Sequence, residues 1–192
     1  MTRVQEKQAL KRKDIIEAII PMIETRPFEE ISVEDICNRA GISVGSFYHY
    51  FEKKSDILVG LFSRIDSYME KEAFPLMNSK DETENLRVFA RSWLSYIESN
   101  GLEHSRLISS INATDFTING EERSSAARLQ EHFARGQKQG VLDASQSAKD
   151  AAALFMIALR GLALDWTRRN AAYPLMERGE IYTEYLIKAA RA

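Results

Sequence analysis

The chain has 192 residues, 44% hydrophobic and 28% charged, with 26 Lys and Arg against 28 Asp and Glu. That is enough for a real core, as one domain or as a small domain beside a larger one, and the net charge of −2 argues against a uniformly basic nucleic-acid coat. A single cysteine, Cys37, excludes an intrachain disulfide. With no signal-like opening segment and no apolar run near the ~20 residues of a membrane span, the expectation is a cytoplasmic protein with no membrane partner.

Residues from about Glu6 to Thr25 read as a first helix, with Leu10, Ile15, Ile19 and Met22 or Ile23 as its apolar stripe. Pro21 lies inside it, and a proline costs a helix interior roughly 3 kcal/mol, so a kink or an early end is predicted there. Pro27-Phe28 closes the segment, and Phe28 and Ile31 are expected to pack under the next two helices.

The stretch from Ile31 to Leu58 organises the chain. Ser32 and Asp35 form a capping box, and Val33, Ile36, Cys37 and Ala40 then make one apolar helical face. Gly41 stands where a left-handed residue ends a helix, and Ser43 can cap a second one. Phe47 and Phe51 give that helix an inner face, leaving Ser46, Tyr48, His49 and Tyr50 to point elsewhere, with Lys53 and Lys54 just beyond. Two short helices joined by a tight Gly-containing turn make a helix-turn-helix, whose second helix enters a DNA major groove. A helical hairpin that only packs, an interaction module without DNA binding, is the competing reading. The polar and basic outward residues favour phosphate and base-edge contact instead. Local charge is mixed: Arg3, Lys7, Lys11, Arg12 and Lys13 precede the motif, while Glu29, Glu30, Glu34, Asp35 and Glu52 dilute it. Modest non-specific affinity and a need for two copies are therefore expected.

Gly41-Ile42-Ser43-Val44-Gly45 also fits G-x-S-x-G, the nucleophile elbow of a hydrolase using Ser43. That chemistry needs a strand running into the serine. The residues before Gly41 have a helical period and a cap, so Ser43 reads as an N-cap and the chain as no enzyme.

A longer helix starts at about Ser55, with Ile57, Leu58, Leu61, Phe62, Ile65, Tyr68 and Met69 in period until Pro75. Asp81 with Glu84 is a second capping box, ahead of Leu86, Phe89, Ala90, Trp93, Leu94 and Ile97; Asn100-Gly101 stops that helix. Leu102 to Ile111 reads as a shorter helix and Asn112 to Gly120 as a loop with Phe116 and Ile118 dipping inward. Helix resumes from Glu121 to Gln139 and stops at Gly140. Ser147 with Asp150 opens the most apolar helix, Ala151 to Arg169; Asn170 to Pro174 breaks it, and Glu177 to Ala190 closes the chain, with Ile181, Tyr185, Leu186 and Ala189 on one face. The small-residue face carrying Leu154, Ala158, Gly161, Leu162 and Trp166, together with Ile181, Tyr185 and Leu186, predicts a twofold dimer. Phe89, Trp93, Tyr96, His104, Phe116, Phe133, Phe155 and Trp166 are core candidates, some of which would wall an apolar ligand cavity. His49, His104 and His132 have no ligand spacing, His104 and His132 reading as surface or pocket groups. No metal or cofactor is expected, for there is no phosphate-binding loop or dinucleotide fingerprint. Cys37 reads as a small core residue.

From K-D-I-I-E-A-I-I through S-V-E-D-I-C-N-R-A-G-I-S-V-G-S-F-Y-H-Y-F-E-K-K-S-D-I-L, the first third of the chain resembles the DNA-binding domain of the TetR family of bacterial transcriptional regulators. G-Q-K-Q-G-V-L-D and R-G-L-A-L-D-W resemble the last helices of many members more loosely. The resemblance implies an all-α fold of about nine helices. Residues 1–53 would hold a three-helix DNA-binding domain, and residues 54–192 a larger domain for ligand binding and dimerisation. It implies a homodimer through the last two long helices, a double-stranded operator and a small-molecule effector that releases it. Ser32 and Val33 would open the helix that contacts phosphate. Ser43, Val44, Gly45 and Ser46 would begin the recognition helix near the bases. Tyr48, His49 and Tyr50 would meet backbone or base edges, and Lys54 a phosphate. The departures are Pro21, where a helix former is usual, and Glu34, where some members carry a basic or polar base reader.

Overall fold

The computed structural model describes residues 3–110 and 124–192, and these are all-α apart from one isolated β-bridge, Leu142 with Arg191. Among the described residues the helices are α1 (Arg3–Ile23), α2 (Val33–Ala40), α3 (Val44–Tyr50), α4 (Asp56–Tyr68), α5 (Glu82–Ser99), α6 (Gly101–Ser110), α7 (Ser124–Lys138), α8 (Ala148–Arg168) and α9 (Leu175–Ala190). None of them is long and apolar enough to cross a membrane. The chain divides by its contacts between Ser63 and Arg64 into two compact units, and α4 runs through the division. The loop expected to carry Phe116 and Ile118 lies outside the described residues.

In the N-terminal unit α1 packs on α2, and α2 on α3. Ile15, Ile19, Ile31, Ile36, Phe47, Ile57 and Leu61 are fully buried. The expected stripe of α1 needs one correction: Leu10 is 63% exposed, while Ile16 is buried. Leu10 is five residues from Ile15, off the helical period of the buried positions, and belongs to a part of α1 that runs past the packed core. Pro21 stands in the last turn, and α1 ends two residues later.

In the second unit α5 lies antiparallel to α9, and their pairing runs the length of both. Glu98 Oε1 accepts the Leu175 N–H at 2.9 Å, capping the first turn of α9. Leu94 then packs onto Gly179, where an added Cβ would lie 2.5 Å from Leu94 Cδ1. Arg91 pairs with Glu180 at 3.2 Å, and the Arg87 guanidinium donates to both Glu184 oxygens at 2.6 and 3.0 Å. The inner face of α9 is accordingly Leu175, Gly179, Thr183 and Ile187, every fourth residue. Ile181 and Tyr185, which the sequence reading assigned to a dimer face, lie on the other side of the helix and are 58% and 68% exposed. On α8, Phe155, Leu159, Leu162, Ala163 and Trp166 face inward against α7, α6 and α9. Leu162 and Trp166, expected on an outer dimer face, are thus core, and the Trp166 indole donates to the Tyr173 carbonyl at 3.0 Å.

Candidate nucleic-acid interface

The local chemistry of α2 and α3 fixes one exposed helix on a rigid base. Ser32 Oγ accepts the Asp35 N–H and the Asp35 carboxylate accepts the Ser32 N–H, both at 3.0 Å, which satisfies two orphan amide groups. The Asp35 carboxyl is held below its usual range by the Ser32 backbone and hydroxyl, with Arg26 at 2.9 Å adding to the effect. Gly41 ends α2 at φ +64°, in the left-handed region that favours glycine. Ser43 Oγ then accepts the Ser46 N–H at 3.1 Å and caps α3. The serine comes after a helix, so it does not stand at the strand-to-helix elbow a hydrolase requires.

Phe47 is fully buried and stacks on Phe51, with ring centroids 5.2 Å apart. Anchoring that side turns Val44, Gly45, Tyr48 and His49 to solvent; Tyr48 is 53% exposed. Ser46 and Tyr50 are half-buried, Ser32 is exposed and Val33 half-buried. Each residue of the set expected from the sequence is thus exposed or half-buried.

Lys54 has a different employment. Its ammonium donates to the carbonyls of Phe28 (2.8 Å), Glu29 (3.2 Å) and Ile31 (2.8 Å) and lies 4.5 Å from the centre of the Phe28 ring. All three N–H donors are spent on the carbonyls of a 3-10 turn and the residue after it, of which the Phe28 carbonyl also accepts the Ile31 N–H at 3.1 Å. Lys54→Ala should therefore cost the N-terminal unit about 2 kcal/mol, because bonds from a charged donor are worth more than neutral ones. Amide exchange in α2 and α3 reads this directly, as protection lowered by roughly 30-fold. Unchanged protection would mean that the ammonium is better solvated than bound.

Two polar clusters of the second unit escaped the sequence reading. Glu82, 3% exposed at the first turn of α5, receives Asn85 Nδ2 at 2.8 Å and His132 Nδ1 at 2.7 Å on one oxygen and Arg135 Nε at 2.7 Å on the other. Burial alone would raise its pKa, but hydrogen bonds from Asn85, His132 and Arg135 reverse that and hold the carboxyl below its ordinary value. His132 and His104, expected at the surface or in a pocket, are 1% and 2% exposed. His104 Nε2 has no hydrogen-bond partner; the ring meets Tyr96 edge to face, 5.9 Å between centroids, and Tyr96 in turn lies 5.1 Å from Tyr68. Glu82 at a helix start, with His132 and Arg135 three apart on α7, was the available signal.

Residues 15–61 match the model of the bacterial regulatory proteins of the tetR family. The N-terminal unit is a TetR-family domain. The match takes in α2 and α3, and α3 is the second helix of the helix-turn-helix. The HTH-type transcriptional regulator YuxN of Bacillus subtilis is 31% identical over 99 residues, 52% of this chain and 33% of that protein. EthR of Mycobacterium tuberculosis is 43% identical over 44 residues, 23% of this chain and 20% of that regulator. The chain thus spans a third or less of the length of these relatives. The fold extends further than the sequence likeness. FadR of Bacillus halodurans superposes with a TM-score of 0.74 at 20% identity, covering 92% of this chain and 94% of that one. FadR of Bacillus subtilis, in complex with stearoyl-CoA, gives 0.71 at 17% identity, covering 91% and 96%. A TetR-family regulator from Pectobacterium atrosepticum gives 0.73 at 19%, covering 100% and 98%.

Proposed function

We propose that this TetR-family regulator is a homodimeric repressor that sits on a pseudo-palindromic operator and leaves it when a small molecule binds in the second unit. The observation that carries the reading is the outer side of α3: a helix capped by Ser43 and pinned by Phe47 presents Val44, Gly45, Tyr48 and His49 to solvent. The N-terminal end of such a helix meets base edges, and residues further along meet the backbone. Ser32 and Val33 open α2 toward phosphate in the same reading.

The dimer face we assign is the outer side of α8 and α9. Leu154 and Ile157 are 59% and 60% exposed, Gly161 has open space above it, and Ile181 and Tyr185 continue the patch. Ala158 and Leu186, both half-buried, edge it. Large apolar side chains grouped on two adjoining helices are what a protein partner covers. A twofold axis through this face calls for half-sites separated by about 34 Å of DNA or a multiple of it.

For the effector we infer an apolar body with one polar end. Phe89, Trp93, Tyr96, Phe133, Phe155 and Trp166 supply the aromatic surroundings, and His104 Nε2 is the buried polar atom without a partner. The stearoyl-CoA held by the Bacillus subtilis FadR fits this class of ligand. Release occurs only if the effector favours the dimer whose recognition helices no longer match the half-sites.

Selection from random duplexes tests the whole reading: the recovered site should have a dyad. On that site Tyr48→Ala should weaken binding about tenfold on every sequence, while Ser46→Ala should change base preference. A site without a dyad, or a Tyr48→Ala protein that binds like the parent with its fold intact, would overturn the docking scheme.

A further inference from the structure

The helix-turn-helix is, by its own charge, a poor ligand for a polyanion. From Phe28 to Asp56 the chain holds six carboxylates, at Glu29, Glu30, Glu34, Asp35, Glu52 and Asp56. Against them stand three cations, Arg39, Lys53 and Lys54, for a net −3 with His49 neutral. One of those cations, Lys54, is consumed by three backbone carbonyls. Non-specific affinity for DNA comes from cations that displace counterions from phosphates. Within the N-terminal unit these must come from elsewhere.

The first turns of α1 supply them. Arg3, Lys7, Lys11, Arg12 and Lys13, opposed there only by Glu6, give net +4 over eleven residues. Arg3, Lys7 and Lys11 recur every fourth residue, which lines them along one side of the helix. Arg3 and Lys7 are exposed and Lys11 half-exposed, and the exposed Leu10 stands among them. Among the described residues of α1, Ile15 is the first that is buried, so these side chains are not part of the apolar core. The place of α1 relative to α3 is fixed by Arg12, whose guanidinium lies 4.9 Å from the centre of the Phe51 ring, at the residue that ends α3. From Arg12 back to Arg3 the helix runs nine residues, about 14 Å.

We propose that residues 3–13 of α1 form a basic arm that binds the phosphate backbone beside the groove occupied by α3, and that it provides most of this domain's electrostatic hold on DNA. The inference rests on the DNA-binding reading and adds a second contact surface to it. The result is a division of labour: α3 reads sequence, and the arm sets affinity and its salt dependence.

The test uses the full chain and two duplexes, the selected operator and a scrambled one. In R3Q/K7Q/K11Q the glutamines keep helix propensity while removing three charges. If each cation meets one phosphate, the slope of log K against log salt becomes shallower by about 2.7 per bound subunit, so between about 50 and 200 mM salt the parent loses roughly 40-fold more affinity than the variant for each subunit bound. The loss should be equal on both duplexes, and R3K/K7R/K11R should restore the parent slope. An unchanged slope in the glutamine variant, with operator binding retained, would overturn the arm and leave the repressor reading standing. A parent that binds neither duplex would remove that reading and the arm with it. Ser46→Ala, which touches base preference only, should leave the slope at the parent value; if it shifts the slope as much as the glutamines do, the division of labour is wrong.

Discussion

Glu82→Ala should destabilise the second unit by about 3 kcal/mol, the cost typical of removing one member of a buried ionic cluster. Glu82 is the common acceptor of three donors, on Asn85, His132 and Arg135. Its loss strands the His132 Nδ1 proton in a site 1% exposed to water. The Glu82 carboxylate calls for a proton on Nδ1, and Arg135 Nη2, 2.7 Å from Nδ1 and 3.2 Å from Nε2, can then donate only to Nε2. Burial, first among the influences on this ring, keeps it neutral by pushing its pKa down. Arg135, 47% exposed, can turn to solvent, which limits the damage on that side. Asn85 would still grip Ser79 through its amide, donating to the carbonyl at 2.9 Å and accepting the N–H at 3.0 Å, so the loop before α5 should hold. Glu82→Gln keeps the shape but must aim an amide N–H at a donor, and about half the loss is expected. Denaturant titration read by Trp93 and Trp166 fluorescence measures both variants; a shift below ~0.5 kcal/mol in Glu82→Ala would show that the cluster contributes nothing net.

The parts of this fold that could be read from the sequence are those encoded by neighbours in the chain. Ser32 and Asp35 are three apart, Gly41 closes the same helix, and Ser43 starts the next; each device is local, so α2 and α3 came out with their caps in place. The capping boxes at α5 and α8 were legible as starts but not in detail. Asp81 caps through Thr83 while Glu84 turns to Arg87, and the Ser147 hydroxyl donates to the Asp150 carboxylate while accepting the Asp150 N–H. What failed depends on partners far along the chain. Gly179 and Thr183 do not look like an inner face until Leu94, eighty-five residues earlier, is seen filling the space above Gly179. Glu82 and His132 are fifty residues apart and bond only because α7 crosses α5. Lys54 looked like a phosphate ligand because nothing near it in sequence discloses that the carbonyls of Phe28 to Ile31 are within reach. On the candidate interface, exposure of Tyr48 and His49 stems from the Phe47–Phe51 spacing, whereas the free length of α1 shows only once burial is seen to begin at Ile15.

The second unit should also lose stability in mild acid, and His104 should account for much of it. Burial, with the positive charge of Arg64 nearby, pushes its pKa down to about 4 from an ordinary 6.5. The Tyr96 ring beside it carries no charge to offset that, and Nε2 has no hydrogen-bond partner to favour the imidazolium. The sign depends on which state takes up the proton. Below pH 6.5 the unfolded chain protonates His104 while the folded chain does not, so the unfolded state gains. The contribution is complete above pH 6.5, shrinks as pH falls, and is gone near pH 4, where the folded protein protonates as well. A shift of this size corresponds to about 3 kcal/mol across the window. His132, whose pKa is also lowered, acts in the same direction, so the parent profile alone does not isolate His104. His104→Gln does: it cannot titrate, and its stability should fall less steeply than the parent's between pH 6.5 and 4, the difference between the two curves changing by about 3 kcal/mol across that window. Carbon-bound ring proton shifts should place the folded-state titration of His104 well below pH 6. Parallel stability curves for parent and His104→Gln would mean that water or a neighbouring group reaches the ring and that the imidazole is not held neutral. An apolar-bodied ligand whose polar end bonds the neutral Nε2 should bind more tightly as pH rises through that same folded-state value, which ties the acid sensitivity of the fold to the proposed effector site.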